Sequence, residues 1–118
     1  AALADCKSPI PLTADESVHT AADIARLRPL YQAVNIKLDK AGGLTGALAL
    51  HRAAREAGMK VMIGSMVASS LAAAPALIVA QDAEWVDLDG PLLLATDRDN
   101  ALCISNGIIA PPTRVLWG

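Results

Sequence analysis

The sequence predicts an α/β fold in which parallel strands are joined by helical crossovers. Two observations carry this. Four strand-like stretches centre near positions 12, 36, 63 and 87, about 24–27 residues apart, the period of a strand plus a crossover helix. Between them lie helical stretches with polar starts, apolar stripes and glycine or proline stops. Composition agrees: Phe is absent, Tyr occurs once, and Ala and Leu supply most of the apolar mass, which suits helices packed close on a sheet. A (β/α)₈ barrel spends roughly 250 residues on eight such units, so four strands and three whole helices amount to about half of one. Two architectures follow: a small open α/β sheet complete in itself, or the C-terminal half of a barrel.

Residues 1–8 read as the tail of a helix running into a polar turn at Lys7-Ser8-Pro9, with the expectation that further chain precedes them. Ile10 to Glu16 reads as the first strand, with Leu12 and Ala14 on one face and Thr13 and Asp15 on the other. Thr20 is placed to cap a helix whose Asp23 meets the positive end of the helix dipole. Ile24 and Leu27 give that helix its stripe, and Pro29 ends it. The second strand, about 33–38, alternates Val34, Ile36 and Leu38 against Asn35, Lys37 and Asp39. Ala41-Gly42-Gly43 makes a loop, and Leu44 to Ala57 a second helix stopped by Gly58. Lys60 to Met66 is the third strand, ending in Gly64-Ser65. Ser69 or Ser70 caps a third helix to about Asp82, bent or restarted at Pro75. Trp85 to Asp89 is the fourth strand, stopped by Gly90-Pro91. Residues 1–95 thus form the repeating body. Residues 96–118 form a closing segment: a polar turn at 97–100, a strand-like Leu102-Cys103-Ile104 and a proline-broken tail.

One charge stands out. Lys37 lies inside an apolar run, and a charged lysine in a packed interior is costly unless paired. Desolvated lysines are also a common source of general bases. In parallel α/β structures the active site lies at the carboxyl ends of the strands. There this chain places Asp15-Glu16, Lys37 to Lys40, Gly64-Ser65 and Asp87-Leu88-Asp89, so Asp15, Lys37, Asp87 and Asp89 are read as converging at one mouth. Plainer readings stand beside these. Asp15 caps the next helix, Lys37 sits in a buried Lys–Asp pair, and Asp87 and Asp89 are turn residues before Gly90-Pro91. Two carboxylates sharing a face with no basic neighbour suit a cation or an ammonium group. Ser65 either caps the following helix or meets a carboxylate at its N-terminus. His19 and His51 lack ligand-like spacing, the cysteines read as core residues, and Gly42-Gly43 belongs to no phosphate-binding fingerprint.

Composition excludes several classes. Net charge is −2 with no basic or acidic block, which points away from nucleic acid and anionic membranes. Two cysteines, Cys6 and Cys103, make no disulfide framework or metal-ligand spacing. No signal peptide is read, and the longest apolar run, Leu71 to Ala80, is short for a membrane span and contains Pro75. The expectation is a soluble, intracellular protein.

Four stretches match one family in order. Ala14-Asp15-Glu16-Ser17, then Val34-Asn35-Ile36-Lys37-Leu38-Asp39-Lys40-Ala41-Gly42-Gly43-Leu44, then Gly64-Ser65-Met66, then Asp87-Leu88-Asp89-Gly90-Pro91 resemble the enolase superfamily. Within it they are most similar to the muconate-lactonizing subgroup and its L-Ala-D/L-Glu (dipeptide) epimerases, over about residues 9–95. The resemblance implies a (β/α)₇β TIM-like barrel with a separate capping domain, the present strands being its fifth to eighth. It matches Asp15 to the third carboxylate ligand of Mg²⁺ and Lys37 to the acid/base lysine of the sixth strand. It matches Asp87 and Asp89 to the pair holding the substrate's α-ammonium group, and Ser65 to a substrate contact. The implied reaction inverts an α-carbon of a small-molecule dipeptide through an enediolate, with Mg²⁺ offsetting the charge and two lysines moving the proton. A cytoplasmic role in murein peptide recycling goes with it.

A second lysine, two more metal ligands and the capping domain have no counterpart here. This chain is therefore expected to need the missing N-terminal half of the same enzyme and to be inactive alone. Which dipeptides are accepted is open, and so is oligomeric state, a homo-oligomer included. Two alternatives stand beside this reading: a muconate cycloisomerase or o-succinylbenzoate synthase-like enzyme, and a non-catalytic α/β module binding through exposed sheet edges.

Overall fold

The computed structural model describes Asp5 and residues 8–118. The helix tail expected at residues 1–8 falls largely outside the described residues, and Cys6 does so entirely. Among the described residues four parallel strands make one sheet, ordered as in the chain: β1 (Thr13–Ala14), β2 (Ala33–Lys37), β3 (Lys60–Gly64) and β4 (Trp85–Asp87). Parallel neighbours need a crossover each time, and short helices provide it. A 3₁₀ turn (Ala21–Asp23) and α1 (Ile24–Leu27) lead from β1 to β2. Next come α2 (Leu38–Ala41) and α3 (Leu44–Glu56), then α4 (Ser70–Ala73) and α5 (Ala76–Ala80).

Each element forms where local chemistry directs it. Asp23 Oδ2 accepts the backbone N–H groups of Thr20 at 2.9 Å and His19 at 3.0 Å, satisfying donors at the first helix start. In α3 the buried residues Ala47, Leu50 and Ala54 recur every three to four positions. They pack on Val34, Ile36, Val61 and Ile63, all buried on one face of the sheet. Pro75 has no N–H for an intrahelical bond and separates α4 from α5, as the sequence implied. The register fixes the opposite face: Asn35 pairs with Met62 and Met62 with Trp85, while Lys37 pairs with Gly64 and Gly64 with Asp87.

The structure departs from the sequence reading at the strand ends. β2 stops at Lys37, and Leu38–Ala41 turns into a helical turn closed by Gly42 at φ +78°. Asp39 therefore leaves the face it was expected to share with Lys37. β4 stops at Asp87, placing Asp89 in the turn before a 3₁₀ segment, Gly90–Leu93. In the closing segment β5 (Ile104–Ser105) pairs antiparallel with β6 (Ile108–Ile109). Asn106 and Gly107 join them with φ of 51° and 75°, the positive pair that a type I′ hairpin turn needs. Leu102 and Leu116 pack with Ala73 and Ala74 in a second, smaller cluster. No helix of the described residues is long and apolar enough to cross a membrane.

Candidate functional site at the carboxyl ends of the strands

Strand β2 carries the site because its polar face survives to its last residue. Asn35 is 6% exposed, and Lys37 stands two residues on, at the mouth. The α2 turn then brings Lys40 back beside Lys37, since three residues along a helical turn return to the same side. Both lysines reach Asp15, just past β1. Lys37 Nζ lies 3.2 Å from Asp15 Oδ2, and Lys40 Nζ lies 2.5 Å from Oδ1 and 2.7 Å from the Asp15 carbonyl oxygen. Asn35 Nδ2 donates to Asp15 Oδ2 at 3.1 Å. Glu16 Oε1 stands farther off, 3.9 Å from Lys37 and 3.7 Å from Lys40. Burial pushes the Asp15 carboxyl up, but hydrogen bonds from Lys40, Lys37 and Asn35 outweigh it and hold the group below the usual carboxylate range.

Two strands away the balance reverses. Burial and then the charge of Asp89 push the Asp87 carboxyl above its ordinary value, with Lys37 pulling the other way. The Asp87–Asp89 pair is thus two mutually repelling carboxylates with a lysine on one side. Gly64 lies between Lys37 and Asp87 in register. A Cβ on Gly64 would stand 2.6 Å from Asn35 Oδ1 and 2.9 Å from Nδ2, so only a hydrogen leaves the Asn35 amide its place. Ser65 follows in the loop, half-buried, and a Cβ on Gly90 would come within 2.9 Å of its Oγ. Ser65 does not cap a helix: the residue before α4 is Ser69, and the Ser70 amide is met by Asp97 at 3.0 Å.

The structure brings Asp15, Lys37 and the Asp87–Asp89 pair to one end of one sheet, as the strand-end argument required, and sets Ser65 beside Gly90. Asn35 and Lys40 are contacts the sequence reading passed over. Asn35 lay on the correct face without a known partner, and Lys40 was hidden by extending β2 through Asp39. His51 Nε2 is 3.9 Å from Asp82 on the helical side, consistent with a structural role, and His19 Nε2 meets the Glu16 carbonyl at 3.2 Å. Cys103 is exposed rather than a core residue, because it lies at the surface just before the β5–β6 hairpin.

A divalent cation of the magnesium type needs near-octahedral oxygen ligation. Among the described residues no three His, Cys, Asp or Glu side chains gather to hold a metal ion. Both oxygens of Asp15 already meet nitrogen donors. The described residues by themselves therefore assemble no magnesium site. What the arrangement does offer is two lysines, Lys37 and Lys40, beside Asp15 and Glu16, with Lys37 also facing Asp87.

The chain matches the family model described as enolase C-terminal domain-like over residues 1–115. It is 52% identical over 111 residues to N-acetyl-D-glutamate racemase of Pseudoalteromonas sp, covering 94% of this chain and 35% of that protein. It is 46% identical over 107 residues to L-Ala-D/L-Glu epimerase of Escherichia coli (strain K12), covering 91% and 33%. An enolase family member from Agrobacterium tumefaciens, described as having homology to dipeptide epimerases and solved with bound sodium and L-Ala-L-Glu, superposes at TM-score 0.96 with 49% identity. That match covers 99% of this chain and 36% of the solved one. The chain spans about a third of the length of each of these relatives.

Proposed function

The chain belongs to the enolase C-terminal domain-like family, as the C-terminal part of its barrel, and from that premise we propose that it carries half the active site of a dipeptide epimerase. The substrate is a dipeptide of the L-Ala-L-Glu type, and the glutamyl α-carbon is inverted by 1,1-proton transfer. The observation that supports this most is the row across the sheet mouth. Lys37 stands one strand from Asp15, at 3.2 Å, and two strands from Asp87 in register.

With Lys37 as the neutral amine, its Nζ lone pair takes the proton from one face of the α-carbon, and the C–H electron pair becomes part of the enediolate. A second lysine outside this chain returns a proton on the other face. Asp87 and Asp89 hold the alanyl ammonium, which relieves their mutual repulsion, and Ser65 contacts the substrate from the next loop. In the complete enzyme Asp15 would be one ligand of a Mg²⁺ ion, with the other ligands outside this chain, and the ion would supply charge to offset the enediolate's. A reducing cytoplasm suits the protein, since Cys103 is a free, exposed thiol.

The test is α-proton exchange. L-Ala-L-Glu incubated in deuterated water with the complete enzyme containing this chain is expected to take up deuterium at the glutamyl α-carbon. Lys37→Ala is expected to lose conversion of L-Ala-L-Glu to its epimer by about a hundredfold or more, whatever exchange the second lysine sustains on its own face, and undiminished epimerisation in Lys37→Ala would sink the reading.

A second reading has one observation behind it, the 52% identity to an N-acetyl-D-glutamate racemase. N-acetylglutamate and L-Ala-L-Glu are both N-acylated glutamates, so Lys37 would serve either. They differ in the ammonium group, which only the dipeptide offers to Asp87 and Asp89.

A further inference from the structure

Resting on that reading, we infer that Asp97 is a positioning residue for the proposed substrate contact Ser65: from the closing segment it ties down the far end of the loop that carries Ser65. This loop runs from Ser65 to Ser69 without regular structure, between the end of β3 at Gly64 and the start of α4 at Ser70. Burial does little to place it, since Met66 is 48% and Val67 64% exposed. Its near end is set by the sheet, where Gly64 pairs with Asp87. There Ser65 and Met66 lie on the turn after Asp89. A Cβ on Gly90 would collide with the Met66 carbonyl oxygen and stand 2.9 Å from Ser65 Oγ.

The far end is held by Asp97. Its carboxylate meets the Ser70 backbone N–H at 3.0 Å on Oδ1 and 3.2 Å on Oδ2, and Oδ2 also accepts the Ser70 hydroxyl. The Arg98 N–H donates to Oδ1 at 2.7 Å. Three donors on one group suit an ionised carboxylate, which only accepts, and the bond from the Ser70 hydroxyl holds the Asp97 carboxyl below its ordinary range. Ser70 is fully buried, and its Oγ in turn accepts the Leu102 N–H at 2.9 Å. Leu102 packs with Ala73, Ala74 and Leu116, so both sides of this tie are rooted in the smaller cluster. A short loop fixed at both ends has few ways to lie. Without Asp97 the buried Ser70 N–H loses its partner, at the cost of an unmet buried donor. The start of α4 then shifts toward water, and Ser65 is no longer pressed against the Gly90 turn. Lys37, on β2 beyond β3, is untouched by this.

The experiment compares Asp97→Ala, Asp97→Asn, Ser65→Ala, the Ser65→Ala/Asp97→Ala double variant and Lys37→Ala with wild type in the complete enzyme. It reads steady-state epimerisation of L-Ala-L-Glu, thermal melting to count folded protein, and hydrogen exchange of backbone amides. Asp97→Ala is expected to raise KM about fivefold, the weight of one ordinary hydrogen bond to the substrate. Its kcat per folded site is expected to stay within about twofold, as when binding alone is lost. Amides of residues 65–69 are expected to exchange about tenfold faster, while those of Val34 to Ile36 keep their rates. In the Ser65→Ala background the same change is expected to raise KM by less than about twofold, because Asp97 acts through Ser65. A merely structural tie would lower the melting temperature and leave KM where it was. The inference is overturned by a KM rise under about twofold, by an equal loss in kcat, by unchanged 65–69 amides, or by the full KM loss recurring without the Ser65 hydroxyl. Should Asp97→Ala not fold, the same criteria are read on Asp97→Asn, whose amide nitrogen cannot accept the Ser70 hydroxyl. Lys37→Ala separates the two claims. Undiminished epimerisation in it refutes the proposed function, and the 65–69 amides then decide the tie by themselves. Epimerisation lost in Lys37→Ala with KM unmoved in Asp97→Ala refutes the Asp97 inference alone.

Discussion

At the scale of single residues, the proposed ammonium role makes the Asp87–Asp89 pair the place where the two candidate substrates would part. A hydrogen bond to a charged group is worth about 1.5–3 kcal/mol, so Asp87→Asn is expected to raise KM for L-Ala-L-Glu by about tenfold or more. The same change is expected to leave N-acetylglutamate within about threefold, because that substrate has no ammonium to lose. Steady-state kinetics on both compounds check this, and equal losses on the two would remove the ammonium role from Asp87. Lys37 was legible from sequence because a charge in the middle of an apolar alternation needs a physical reason. Lys40 was not, since its approach to Asp15 depends on the chain leaving the strand at Leu38, one or two residues earlier than alternation alone suggests. Asn35 was legible in direction but not in partner, because its register with the residues past β1 is a property of the sheet and not of the segment.

At the scale of elements, an ion pair ties α3 to the start of β4. Arg55 donates to Glu84 Oε1 at 2.7 Å, and Glu84 Oε2 accepts the Val61 amide at 2.8 Å. The hydrogen bond from Arg55, helped by that amide, holds the Glu84 carboxyl at about 2 against an ordinary 4.5. A depressed folded-state pKa contributes stability above the unfolded value and loses it as pH falls through the folded one. The stabilisation by Glu84 is therefore expected in full above about 4.5 and to fade toward about 2. Urea midpoints of wild type and Glu84→Gln should differ at neutral pH and converge across that window; a constant gap would mean that the ion pair adds nothing. Element boundaries were the less legible part of the chain. The parallel strands announced themselves by their spacing, and α3 by its stripe and Gly58. The β5–β6 hairpin carried its own sign in Asn106-Gly107, overshadowed by the prolines that follow. The end of β4 had none, because Asp87-Leu88-Asp89 alternates as well in a turn as in a strand.

At the scale of the whole molecule, the sheet has a two-residue strand, β1, at one end of its order and β4 at the other, each with one neighbour among the described residues. All three residues of β4 are exposed. Unpaired parallel edges recruit other strands, so the 118-residue chain expressed alone is expected to associate and to show no α-proton exchange on L-Ala-L-Glu. Light scattering and the deuterium assay read the two halves of that statement, and a monodisperse, active 12.2 kDa species would refute it. Adding the polypeptide that precedes this region in the complete enzyme is expected to restore exchange.

The order of the strands has one more consequence, in time rather than in space. Every strand pairs with the strand next to it in the chain, so each step of sheet assembly closes a loop of only a few tens of residues, and short loops close at small entropic cost. The neighbourhood of Lys37 is thus cheap to nucleate, and this side of the proposed site is expected to form before folding is complete. In refolding of the complete enzyme, pulse-labelled amides of Val34 to Ile36 and Val61 to Ile63 should gain protection ahead of global completion. Protection arriving only with the final cooperative step would show that the lysine strand waits for its distant partners.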